Sequence, residues 1–198
     1  MSQDWLKYKL YIFDLDNTLY QETDYLFAAY RQIAMHVASN DGVLADEYAS
    51  YLCESFLQEG RQGLFQRFRA HFKLDLSIDE VLAILRSTKC RLQLFPQMRE
   101  VLSQLLTSGK EIAILTNGNK EQQMQKIGNL DLSQIFPTIN IVYAADIESK
   151  PSPKAVLELM INNKTSPADV VLIGDSDIDK QTALNAGIDF INVCYFMK

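Results

Sequence analysis

Apolar and polar positions along the chain fall into two regimes. Short apolar runs, often β-branched, stand at 10–13, 111–115, 139–143, 170–173 and 190–194. Each is nearly continuous rather than alternating, the pattern of parallel strands covered on both faces. Helical spacing fills the intervals between the later runs. Residues 98–107 place Val101, Leu102, Leu105 and Leu106 on one face, and Gly109 stands where a C-terminal cap belongs. Residues 153–162 carry Ala155, Val156, Leu159 and Met160, with Ser152 as the expected N-cap and Pro153 in the first turn. Residues 179–186 stop at Gly187. Strand and helix thus alternate from about Met98 onward, which predicts right-handed crossovers and an α/β fold with a doubly wound parallel sheet. Between 20 and 92 the alternation stops. Helical patterns at 25–38, 47–57, 64–72 and 79–88 follow one another without a strand. The expected organisation is therefore an α/β core from 1–19 and 93–198, interrupted by a small all-helical domain over 20–92.

Composition narrows the partners. The chain has 198 residues, 47% of them hydrophobic, and a formal net charge of −6. Such a balance suits a soluble globular protein and disfavours nucleic acid, whose phosphates are met by basic patches. It leaves room for small phosphorylated ligands, because one metal ion or lysine reverses a local field. No apolar stretch reaches membrane-spanning length, so no membrane partner is expected. The first residues lack the basic and apolar regions of a signal peptide, and a cytoplasmic location is the expectation. Cys53, Cys90 and Cys194 are scattered, which suggests reduced thiols acting as small buried hydrophobes.

The chemistry collects where the apolar runs end. Asp14 and Asp16 close the first run, and residues two apart in a strand share a face. Two carboxylates in one small volume repel unless a cation or a proton sits with them. A solvated turn rich in Asp and Asn is the plainer alternative. Thr116-Asn117-Gly118 follows the second run and offers a hydroxyl and turn N–H groups to an anion, although Asn-Gly is also a common turn. Lys150 lies between the third run and a helix, held by Pro151 and Pro153. Asp175 ends the fourth run and Asp179 falls on the first turn of the next helix, where an acid also suits the helix dipole. Singly these signals are weak. Together they gather carboxylates at one edge of a sheet, a costly arrangement without a hard cation and a lysine. An all-oxygen donor set without His or Cys points to Mg²⁺ rather than zinc.

The order and spacing of these segments resemble the haloacid dehalogenase-like (HAD) hydrolase superfamily, in its phosphatase branch with a helical cap of the first (C1) type. Its four motifs are matched by Asp14-Leu15-Asp16-Asn17-Thr18, Thr116-Asn117-Gly118, Lys150-Pro151 and Gly174 through Asp179. The resemblance implies that the 20–92 insertion is a cap. It implies that Asp14 attacks phosphorus to give an aspartyl-phosphate, and that Asp16 protonates the leaving alcohol and then activates water. Thr116 and the Asn117 amide would hold phosphoryl oxygens, and Lys150 would balance charge. Mg²⁺ would be held by Asp14, the Asp16 carbonyl and Asp175, with Asp179 helping directly or through water. The substrate implied is a small soluble phosphomonoester such as a nucleotide, flavin mononucleotide or a sugar phosphate. An aspartate at position 16 favours phosphatase over dehalogenase, since halide needs no proton. A phosphomutase or phosphotransferase, and a non-catalytic protein that binds a phosphorylated ligand, remain as alternatives.

Other features read as structural. Arg61, Arg67, Arg69 and Lys73 flank an apolar helix face and read as solvated charge. His36 and His71 read as packing or surface residues. Tyr20, just after the first motif, reads as a substrate-facing residue at the cap hinge.

Overall fold

A computed structural model describes residues 3–39 and 42–197. The chain divides into two compact units, one of Met1–Glu22 with Leu92–Lys198, the other Thr23–Arg91.

The first unit is built on five parallel strands: β1 (Leu10–Phe13), β2 (Glu111–Thr116), β3 (Asn140–Tyr143), β4 (Val170–Gly174) and β5 (Asp189–Asn192). Their order is β3-β2-β1-β4-β5. β1 is central, with Phe13 in register with Ile114 on one side and Ile173 on the other. The chain therefore leaves β1 toward one edge and later returns to build the other. Such a reversal opens a crevice at the carboxyl ends of the central strands. Leu10, Ile12, Ala113, Leu115, Val170 and Leu172 form one buried face against Ala155, Val156, Leu159, Met160, Ala183 and Ala186. The alternate residues Tyr11, Phe13, Ile112, Ile114, Val171 and Ile173 point the other way and are equally buried. Both faces are covered, which explains why the strands read as unbroken apolar runs. The α/β doubly wound parallel sheet expected from the sequence is the fold observed.

The second unit is helical. In chain order the helices are α1 (Glu22–Val37), whose first residue belongs to the other unit, α2 (Gly42–Glu59), α3 (Leu64–Phe72) and α4 (Ile78–Ser87). Buried Tyr48 and Phe68 pack edge to face with the half-buried Phe72 beside them, and at the surface the exposed His71 stacks on Tyr51 with ring centroids 4.5 Å apart. Arg67 departs from the solvated reading. Its guanidinium bonds Ser55 Oγ at 3.0 Å, the Gly60 carbonyl at 3.0 Å and the Gln62 carbonyl at 2.6 Å, closing the turn before α3.

The core helices are α5 (Pro96–Thr107), α6 (Lys120–Asn129), α7 (Leu132–Ile135), α8 (Lys154–Asn162) and α9 (Asp177–Ala186). Several boundaries differ from the sequence reading. β5 stops at Asn192, whose side chain accepts from the Cys194 N–H and turns Val193–Tyr195 into a 3₁₀ segment. α8 starts at Lys154 with Pro153 as its N-cap, so Ser152 lies one position further out. The thiols are less buried than expected, Cys53 and Cys90 half-buried and Cys194 exposed. The sequence reading also passed over α6, whose buried residues are Gln123, Lys126 and Ile127. Among the described residues no helix is long and apolar enough to cross a membrane.

Candidate active site

The site begins where β1 runs out. The Asp14 N–H still donates to the Ile173 carbonyl at 2.9 Å, so Asp14 continues the ladder at the sheet's reversal point. Three residues on, Asn17 adopts a left-handed φ of 56°, a conformation that Asn tolerates better than most side chains. Its Oδ1 accepts from the Glu22 N–H at 3.0 Å, so the same residue turns the chain and starts α1.

Asp14 is buried, and its Oδ1 accepts from Lys150 Nζ at 2.6 Å. The same ammonium donates to Asp179 Oδ1, also at 2.6 Å. Asp14, Asp175 and Asp179 each bring a carboxylate oxygen within 4.8 Å of one another, with Asp175 exposed and the others buried. Thr18 Oγ1 stands 3.4 Å from both Asp14 Oδ2 and Asp175 Oδ1. Burial pushes the Asp14 carboxyl up to about 7, and the Asp179 charge adds to that against the opposing pull of Lys150. Burial and the Asp179 charge raise Asp175 as well. For Lys150, burial disfavours the ammonium, but Asp14 and Asp179 outweigh it and hold its pKa above the usual lysine value.

When ionised, the three carboxylates facing one ammonium leave an excess of two negative charges, which a divalent cation would balance. The donors are all hard oxygens at strand and helix termini. This donor set fits a hard dication such as Mg²⁺ or Ca²⁺ and does not suit zinc.

Two devices hold the cluster in shape. Asn117 uses its side chain on the Lys150 main chain: its Oδ1 accepts from Lys150 N at 2.8 Å and its Nδ2 donates to the Lys150 carbonyl at 3.0 Å. The loop carrying the lysine is thereby tied to the end of β2. Asp179 completes a capping box with Ser176, whose hydroxyl donates to Asp179 Oδ2 at 2.5 Å. The helix N-terminal placement that the sequence suggested on dipole grounds is thus realised, as a capping box, together with the contact to Lys150. Asp179 reaches its place only because residue 174 is glycine, since a Cβ there would lie 2.6 Å from Asp179 Cγ. Gly174→Ala is expected to displace Asp179, cost about 1–3 kcal/mol of stability and weaken divalent-ion binding. Denaturant midpoints with and without Mg²⁺ check both effects.

Asp16 has a different neighbourhood. Lys126 Nζ lies 2.8 Å from each of its carboxylate oxygens, Tyr20 donates to Oδ1 at 2.5 Å, and Gln123 Nε2 donates to Oδ2 at 2.9 Å. Gln123 Nε2 also donates to Thr116 Oγ1 at 2.5 Å. The two aspartates of the first motif therefore have separate lysines, Lys150 for Asp14 and Lys126 for Asp16. Tyr20 is fully buried and addresses Asp16, instead of presenting the substrate-facing hydroxyl expected from its position. Lys126 and Gln123 escaped the sequence reading. Their i, i+3 spacing on a helix directly after Thr116-Asn117-Gly118 was the signal available.

The architecture and much of the sequence match known proteins. The model of the haloacid dehalogenase-like hydrolase family matches residues 11–193. The chain belongs to that family. Among curated relatives, it is 29% identical over 192 residues to the phosphoglycolate phosphatase of Rhodobacter capsulatus, covering 91% of this chain and 81% of that one. It is 28% identical over 182 residues to the glyceraldehyde 3-phosphate phosphatase of Pyrococcus furiosus, covering 84% and 72%. A candidate β-phosphoglucomutase of Thermotoga maritima superposes with a TM-score of 0.68 at 20% identity, covering 91% of this chain and 82% of that one. That likeness is one of fold. Both curated relatives are named phosphatases, and this HAD protein is an enzyme of the phosphoric monoester hydrolase kind.

Proposed function

We propose that this HAD phosphatase hydrolyses a small phosphomonoester through an aspartyl-phosphate on Asp14, with Mg²⁺ as its ion, and that the helical unit acts as a cap. The observation that carries the reading is the buried Asp14 carboxylate, shared with Lys150 and gathered with Asp175 and Asp179 within 4.8 Å. A nucleophile needs an accessible lone pair and a countercharge that keeps it ionised, and Lys150 supplies the second.

In this scheme Asp14 attacks phosphorus, and Lys150 offsets charge on the carboxylate and the incoming phosphoryl oxygens. The Thr116 hydroxyl and the N–H groups of the 117–118 turn hold the transferring group. Asp16 gives a proton to the departing alcohol, then takes one from the water that cleaves the acyl-phosphate. Asp14, the Asp16 carbonyl, Asp175 and Asp179 would hold Mg²⁺, which supplies electrostatic stabilisation of the phosphoryl oxygens when bound. The substrate class proposed is a small metabolite such as a nucleotide, flavin mononucleotide or sugar phosphate, met in the cytoplasm.

The test is phosphate release from a panel of such esters with Mg²⁺ and after chelation with EDTA. The expected result is turnover with Mg²⁺ that chelation removes and Mg²⁺ restores. Undiminished turnover in EDTA contradicts the role given to the carboxylate cluster. Product analysis with an added acceptor alcohol separates transfer to water from transfer to a sugar.

A further inference from the structure

Lys126 is buried to 2% exposure on a helix of mostly polar residues. A lysine in that setting is expensive, and an aliphatic side chain at 126 would dock α6 at lower cost. Its ammonium lies 2.8 Å from both Asp16 oxygens and makes a longer ion pair with Glu22 Oε1 at 3.4 Å. Gln123, one turn earlier on the same buried face, joins Asp16 Oδ2 to Thr116 Oγ1 through a single amide nitrogen. Tyr20 holds the other oxygen, Oδ1.

These contacts do more than neutralise a charge. An aspartate side chain has two torsions, and donors on both oxygens from different elements fix both. The bridge through Gln123 also ties the Asp16 carboxylate to the Thr116 hydroxyl, so one residue's position sets the other's. A proton carrier is useful only when held within hydrogen-bond reach of the atom it serves.

We propose that Lys126 is a positioning residue for proton transfer by Asp16, with Gln123 and Tyr20 completing the brace. The inference rests on the proposed phosphatase reading, in which Asp16 protonates the leaving group. It separates two kinds of work in the site: Lys150 serves the nucleophile and Lys126 serves the proton carrier.

A merely structural lysine and a positioning lysine differ in how their loss depends on the leaving group. Dinitrophenolate departs without a proton, whereas the phenyl ester breaks far faster when its leaving oxygen is protonated and departs as phenol. First-turnover release is therefore to be measured with Mg²⁺ for dinitrophenyl, nitrophenyl and phenyl phosphate, on wild type, Lys126→Met and Tyr20→Phe. For Lys126→Met the expected loss is about 10²-fold or more on phenyl phosphate, the usual scale of general acid catalysis. On dinitrophenyl phosphate it is expected to be within about threefold, with KM little changed on all three esters. Tyr20→Phe, which keeps the ion pair, is expected to show the same gradient at smaller amplitude, and it decides the matter should Lys126→Met fail to fold. An equal loss on all three esters, or no loss, overturns the role of Lys126. Absence of Mg²⁺-dependent release by wild type on every ester instead overturns the phosphatase reading itself, and the proposal with it.

Discussion

Asp14→Asn is expected to lower phosphate release by on the order of 10⁴-fold or more, the scale on which enzymes lose activity when a nucleophile is removed. The substitution is nearly isosteric, so the backbone bond from Asp14 N to the Ile173 carbonyl should persist. What goes is the charged oxygen that meets Lys150 at 2.6 Å. An amide is too weak a nucleophile toward phosphorus, and it contributes less to a cation site than a carboxylate. Steady-state turnover, with circular dichroism to confirm the fold, measures the effect. Because burial and Asp179 already push the Asp14 carboxyl up to about 7, the amide also relieves crowding of charge. The melting temperature of Asp14→Asn without Mg²⁺ should therefore fall little. Turnover close to that of wild type would remove Asp14 from the chemistry.

Lys150→Met acts on the same cluster with the opposite balance. The ammonium is buried and bonded to Asp14 and Asp179 at 2.6 Å each. Its removal leaves two buried carboxylates facing each other without a cation. Breaking a buried pair from one side typically costs about 3–5 kcal/mol. Methionine fills most of the volume, so the loss is electrostatic more than one of packing. Divalent ions should offset part of it, because a ligand that binds the folded state raises its apparent stability. The expected result is a much lower melting temperature in EDTA, a larger Mg²⁺-induced rise than in wild type, and loss of turnover even with saturating Mg²⁺. An unchanged melting temperature in EDTA would show that the two carboxylates do not depend on Lys150 for their charge balance.

The chain's own pattern carried much of this. β1 and α3 stand where apolar continuity and helical spacing place them, because each is bounded by residues that break the pattern: Asp14 after the strand, Gly63 and Lys73 around the helix. Asp14, Lys150, Asp175 and Asp179 come together because each follows a strand at the same end of one parallel sheet, which order and spacing already imply. What stayed hidden has a common cause. α6 buries Gln123 and Lys126, so a search for an apolar stripe passes over it, and the compensating partner, Asp16, is more than a hundred residues away in sequence. The Asn117 side chain is equally opaque from sequence. An Asn-Gly pair announces a turn, but only the fold reveals that its amide grips the Lys150 main chain. Overextension of β5 past Asn192 has the same character, an apolar run ended by a polar side chain bonding its own backbone.

The most direct test of the central claim is to look for the covalent intermediate. The protein is mixed with Mg²⁺ and a substrate carrying a labelled phosphoryl group, quenched in acid during the first turnovers, and digested for peptide mapping. The account predicts an alkali-labile phosphoryl group on the peptide that contains Asp14, absent in Asp14→Asn. Turnover with no covalent phosphate at any quench time, or a label on a peptide without Asp14, would contradict it.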